Sequence, residues 1–158
     1  MMFLEKIIVD KLVKYYPRND DGRVNLSDII AREGIILKMM PDFRFDNASG
    51  QFLEHGPDGK PTIYLNTNTL LTHQRFVLAH ELGHYFLGHG SCVRDTKEQL
   101  MKQEAKEISA NRFATELLMP TKKISEYVRE FLTIKDMAER FRVSEQTMQL
   151  CLKSLNLM

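Results

Sequence analysis

The stretch Phe76-Val77-Leu78-Ala79-His80-Glu81-Leu82-Gly83-His84-Tyr85-Phe86-Leu87 decides how the rest of the chain is read. Apolar residues fill nearly every position that His80, Glu81 and His84 leave. That pattern predicts a helix buried on most sides, whose polar groups need partners. Residues four apart on an α-helix differ by about 40° in direction and by one turn in height, so His80 and His84 project from one face and can share a metal ion. Neutral imidazole is a good zinc ligand. Glu81, one residue round from His80, can reach a water activated by the metal rather than the metal itself. The implied chemistry is hydrolysis of a peptide bond without a covalent intermediate, with Glu81 as general base. A bare HExxH string also arises by chance on surface helices, and the apolar flanks argue against chance here.

Two histidines leave a catalytic zinc one protein ligand short. His89 follows His84 by five residues, about 140° round a continuous helix, and cannot turn back to the same ion. Leu87 also stands where the metzincin pattern has glycine, so His89 reads as a helix-end histidine near the negative end of the dipole. The run from Glu98 to Ala114 offers better donors in Glu104 and Glu107. Glu107 shares its face with Ala110, Asn111 and Ala114, small residues that let this helix approach the His80 helix closely. Lys and Gln residues surround Glu104, which suits a solvated charge, and Glu107 is favoured.

Outward from the motif, residues 3 to 16 carry Ile7, Ile8, Leu12 and Val13 at helical spacing and end at Pro17. A second helix from Leu26 to Glu33 stops at Gly34. Short strands are expected at 35 to 38, 50 to 54 and 61 to 66, the last two joined by His55-Gly56-Pro57-Asp58-Gly59-Lys60, which has hairpin-turn chemistry. Helices are expected from about 70 to 89, from 98 to 118, and in two or three short pieces over 121 to 156. The fold class is therefore α+β, a small antiparallel sheet against a helical bundle. Residues 1–120 form the metal-bearing core, and 121–158 a helical segment packed on it.

Composition fits that reading. The 158 residues are 43% hydrophobic and 27% charged, with a net charge of +1. Such near-balance argues against a protein whose main affinity comes from neutralising phosphates. Cys92 and Cys151 form no CxxC pair and are expected to be free thiols. The amphipathic start is unlike a signal peptide, and no stretch is apolar enough to span a membrane, so a cytoplasmic protein is expected.

The run Arg75 to His89, followed by Glu107-Ile108-Ser109-Ala110-Asn111-Arg112-Phe113-Ala114-Thr115-Glu116-Leu117-Leu118-Met119-Pro120, resembles the ImmA/IrrE family of gluzincin-like HExxH metallopeptidases. The resemblance extends more weakly to the Ser49-Gly50 strand start, the Ile63-Tyr64-Leu65-Asn66 strand and the C-terminal segment. Val77 stands where many members have threonine. The resemblance implies metal ligands at His80, His84 and Glu107 and a general base at Glu81. It also implies zinc as cofactor, with ligand type alone leaving manganese and iron open. Members cleave helix-turn-helix repressors, so it implies a transcriptional repressor as the protein substrate.

Peptidases of this kind bind substrate as an added strand, and Ile63-Tyr64-Leu65-Asn66, just before the metal helix, is the candidate edge, with a paired central strand the competing reading. His73 lies two turns before His80 and either lines the cleft or faces solvent. The segment Ile134 to Leu155 resembles a helix-turn-helix pair, with Val143-Ser144 as turn and cap and Gln146, Thr147 and Gln149 where base-reading side chains lie. It supports a rival function, a DNA-binding or repressor-binding regulator with a non-catalytic metal site. Residues 121–158 hold seven Lys and Arg against five Asp and Glu, a weak excess, and direct DNA binding is not favoured. An intact Glu81 argues against a purely structural metal, which needs no base.

Overall fold

A computed structural model describes residues 3–41, 49–90 and 97–158. Helix α1, Leu4–Tyr15, buries Glu5, Val9 and Leu12, which recur at helical spacing on one face. Helix α2, Leu26–Arg32, starts where the Asn25 side chain accepts from the Asp28 N–H. Three strands follow, β1 (Ile36–Met40), β2 (Gly50–Leu53) and β3 (Thr62–Asn66). The remainder is helical: α3 (Leu71–Phe86), α4 (Lys97–Leu118), α5 (Thr121–Arg129), α6 (Ile134–Phe141) and α7 (Glu145–Ser154). Among the described residues the architecture is α+β, and the helical tail resolves into three short helices. Ser144 caps α7 by accepting from Thr147 N–H, as its place in the turn leads one to expect.

The sheet departs from expectation in two ways. Its strand order is β1-β3-β2, with β2 antiparallel to β3 but β1 parallel to it, so the sheet is mixed rather than antiparallel. The hairpin between β2 and β3 is present, closed by the Gly56 N–H donating to the Lys60 carbonyl at 2.8 Å. Because β1 pairs with the other side of β3, Ile63-Tyr64-Leu65-Asn66 is the central strand and not an edge. Thr62 and Ile63, which point to opposite faces of β3, have no exposure at all, as a strand covered on both faces requires. The edge strand that packs on α3 is β2.

One continuous apolar core runs from Val9 and Leu12 on α1 through Leu82 on α3 and Phe113 and Leu117 on α4 to Tyr127, Phe141 and Met148. Helices α3 and α4 cross closely at Gly83 and Ala110, the small residues that permit it. Arg18 ties the segment after α1 to the end of α4, donating to the carbonyls of Gly22 at 2.9 Å, Leu117 at 2.6 Å and Glu116 at 3.1 Å. Two of those acceptors belong to the last turn of α4, whose carbonyls lack helical donors. The α1–α4 contact adds a buried polar pair, Ser109 Oγ donating to Glu5 Oε1 at 2.6 Å.

Candidate metal centre

His80 and His84 leave the same face of α3, and Glu107 reaches them from α4. His80 Nε2 lies 2.7 Å from Glu107 Oε2, His84 Nε2 lies 3.1 Å from Glu107 Oε1, and the two Nε2 atoms are 3.2 Å apart. One donor atom from each residue falls within 4.8 Å of the others. Two donors about 2.1 Å from a shared tetrahedral ion would stand about 3.4 Å apart, so shifts of a few tenths of an ångström would let these atoms hold one. Two imidazole nitrogens and a carboxylate oxygen suit a divalent transition metal. Glu104 is exposed and takes no part.

The outer nitrogens are held in a way that leaves both Nε2 atoms available. Asn111, one turn beyond Glu107, places its Oδ1 2.8 Å from His80 Nδ1. A carbonyl oxygen accepts only, so Nδ1 carries a proton, and Nε2, which faces the Glu107 carboxylate, would give up its own proton to take a metal. His84 Nδ1 lies 2.9 Å from Nδ1 of His89. The same tautomer at His84 makes it the donor and His89 the acceptor. Burial, then the nearby His84 and Lys106, pull His89 down to about 4, which keeps it neutral and able to accept. Glu107 is itself braced by the buried Gln103, whose amide donates to Oε1 at 2.7 Å. Its hydrogen bonds with His80 and His84 hold it well below the usual carboxylate range. Such supports fix ligand orientation and raise affinity.

The contact to His89 corrects the picture of a helix continuing to residue 89. Helix α3 ends at Phe86, and Gly88 turns the chain back with φ of 68°. The His89 N–H donates to the His84 carbonyl at 3.1 Å and the Gly88 N–H to that of Tyr85 at 3.2 Å, a Schellman closure. The turn carries the His89 ring over the last helical turn, on the far side of His84 from the donor cluster. Lys106 fixes it further by donating to its carbonyl at 2.9 Å.

Glu81 is buried, and that burial raises its pKa despite the neighbouring His80 and His84, which pull it down. It faces the start of β2. A Cβ at Gly50 would meet Val77 Cγ1 at 2.5 Å and Glu81 Oε1 at 3.5 Å, so only glycine lets this strand lie against the helix here. His73 is exposed, with Nε2 2.9 Å from Ser49 Oγ at the same end of β2. The edge strand and the donor cluster thus flank Glu81 from two sides. Asn111 and the bracing role of His89 were not singled out from sequence. Asn111, a lone polar residue between Ala110 and Ala114 on the Glu107 face, was the available signal. Cys151 is free and buried; Cys92 lies outside the described residues.

Comparison with known proteins bears on family and fold. The model of a peptidase family, the IrrE N-terminal-like domain (Peptidase_M78), matches residues 36–153. Metallopeptidase ImmA of Bacillus subtilis strain 168 is 35% identical over 96 residues, 54% of this chain and 47% of that protein. Uncharacterized immunity region protein 2 of Bacillus phage phi105 is 36% identical over 77 residues, 48% of this chain and 49% of that protein. The chain therefore spans about half the length of these curated relatives. A solved Mycobacterium tuberculosis transcriptional regulator superposes with a TM-score of 0.63 at 17% identity, over 91% of this chain and 44% of that one, a likeness of fold.

Proposed function

The chain belongs to the Peptidase_M78 family, the IrrE N-terminal-like domain, and on that premise we propose that it is a metal-dependent endopeptidase with Glu81 as general base. The observation that carries the reading is the convergence of His80 and His84 with Glu107 from a second helix, each histidine held by its outer nitrogen so that Nε2 faces its partners. His80, His84 and Glu107 would hold the metal, and zinc is the ion that suits them best. A divalent ion held by these residues would supply Lewis acidity, polarising a carbonyl and lowering the pKa of a water to about 7. Glu81 takes the proton of the attacking water and delivers it to the leaving amine. Its burial among apolar neighbours keeps competing solvent away from that transfer and brings its pKa toward the working range.

The substrate lies extended beside β2, the edge strand against α3, hydrogen-bonding through its own backbone. We take that substrate to be a helix-turn-helix repressor, in keeping with the family resemblance and with a relative named for a phage immunity region. The test is co-expression with the helix-turn-helix repressor encoded beside this gene, using wild type and Glu81→Gln and measuring metal content in both. Cleavage by wild type alone, with metal in both proteins, is the expected result. Cleavage by both would remove Glu81 from its role, and absence of metal from wild type would end the metallopeptidase reading.

A further inference from the structure

A cavity of about 760 Å³ lies between α4, α7 and the start of α1. Three large apolar side chains from three segments line it: Phe3 ahead of α1, Ile108 on α4 and Leu150 on α7. They are 45%, 49% and 61% exposed, so an incoming group can reach them. Phe76 of α3 adds a fourth apolar wall. Single apolar residues are ordinary on a surface, whereas several converging on one hollow mark a place of contact.

The hollow is continuous with the metal donors. Asn111, whose Oδ1 lies 2.8 Å from His80 Nδ1, is itself exposed and also lines the cavity. Glu107, Ile108, Asn111 and Arg112 fall within about 140° of one another around α4, so the donor face and the cavity wall are neighbouring strips of one helix. Phe76 stands one turn before His80 on α3. Most charges here are already answered. Lys6 pairs with Glu116 at 3.2 Å, and Glu5 accepts from Ser109 at 2.6 Å. Arg112 differs. It is exposed, its guanidinium carbon lies 4.4 Å from the centre of the Phe3 ring, and among the described residues it forms no ion pair or hydrogen bond. A guanidinium stacked in this way keeps its N–H edges open to a carboxylate.

On the peptidase reading, which fixes the occupant, we propose that this cavity docks a segment of the protein substrate bearing apolar side chains and an acidic residue. The apolar groups fill the space between Phe3, Ile108 and Leu150, and the carboxylate meets Arg112. A second copy of the chain is the less fitting occupant, because a permanent cover would lie across Asn111 and obstruct the donors beside it. A substrate leaves after each turnover. Docking here, one strip of α4 away from the donors, supplies binding energy remote from the scissile bond and holds the stretch to be cut beside β2.

The test uses the full Glu81→Gln chain loaded with zinc, so that binding is read without cleavage, titrated calorimetrically with the intact repressor encoded beside this gene. Binding is expected, weakened about tenfold by Leu150→Asp and by Ile108→Asp, the scale of a contact residue lost at an interface. Both positions are exposed, so folding is not at stake. Arg112→Gln should weaken binding severalfold and flatten its dependence on salt. Absence of binding, or binding that all three variants leave unchanged, overturns the proposal. Dimerisation of the chain alone, dispersed by Leu150→Asp in sedimentation while no repressor binds, overturns it in favour of a self-association face. Failure of the peptidase reading shows separately, in wild type that holds no metal or leaves the bound repressor uncut.

Discussion

Replacing Gly83 by alanine probes the crossing on which the metal site depends. A Cβ there would lie 3.1 Å from the Ala110 carbonyl oxygen, 3.2 Å from Ala110 Cα and 3.2 Å from Phe113 Cδ1. Two of the three are backbone atoms of α4, so relief comes from moving that helix away by a few tenths of an ångström rather than from turning a side chain. Alanine gains about 1 kcal/mol over glycine in a helix interior, and overpacking costs about 1–3 kcal/mol, so the net expectation is a loss of about 1 kcal/mol. The metal should feel more. Glu107 sits one turn before Ala110, and metal–ligand distances tolerate about 0.2 Å, less than the shift that α4 must make. Metal affinity should fall about ten- to hundredfold, the effect of disturbing supporting groups elsewhere. Urea unfolding in chelator gives the first quantity and competition with a chromophoric chelator the second. Unchanged affinity with equal or greater stability would refute the idea that this crossing sets the position of Glu107.

Asn111→Ala and His89→Ala should each lower metal affinity about tenfold or more while the far-ultraviolet spectrum stays unchanged, because each frees the tautomer of a histidine. Arg18→Ala strips donors from the carbonyls at the end of α4 and should cost about 3 kcal/mol in urea unfolding. In chelator, the stability that His80 contributes, read by thermal melting as wild type against His80→Ala, should fall as pH rises from 6.5 to 8.5, above the window in which His89, lowered to about 4, changes stability in the opposite sense. Burial alone would lower His80, but Glu107 and Glu81 outweigh it and hold its pKa above 6.5; that contribution is present below 6.5 and is lost as pH climbs through the raised value. Glu107, with its lowered pKa, gives stability present above 4.5 that is lost only on acidification. In a Cys92→Ser chain, Cys151 should resist iodoacetamide at pH 8 until the protein unfolds, since burial pushes its thiol up to about 11.

The helices and their donors were legible because their signals are local. The i, i+4 spacing of His80 and His84 is fixed by the helix itself, and the small residues beside Glu107 identified the face that meets α3. Strand order was not legible in the same way, because pairing depends on which distant edge arrives. Even so, Thr62, Ile63 and Leu65 are all fully buried, and a run covered on both faces belongs to a central strand more than to an edge. His89 was misplaced by one glycine. Gly88-His89-Gly90 offers two stops, and taking the second extended the helix past the residue whose positive φ folds it back.

The parallel pairing of β1 with β3 has a consequence for how the chain acquires its structure. The β2–β3 hairpin can close from neighbouring residues alone, whereas Ile36 must find Thr62 across the whole intervening segment. Contacts of long sequence separation form late, so β3 should spend the early part of folding with its β1-facing edge bare. That edge belongs to the short apolar strand Thr62-Ile63-Tyr64-Leu65-Asn66, which could pair as readily with another copy as with its own β1. Any shortened chain that begins after residue 40 would leave it bare permanently, and such fragments should collect as aggregates even with every metal donor in place.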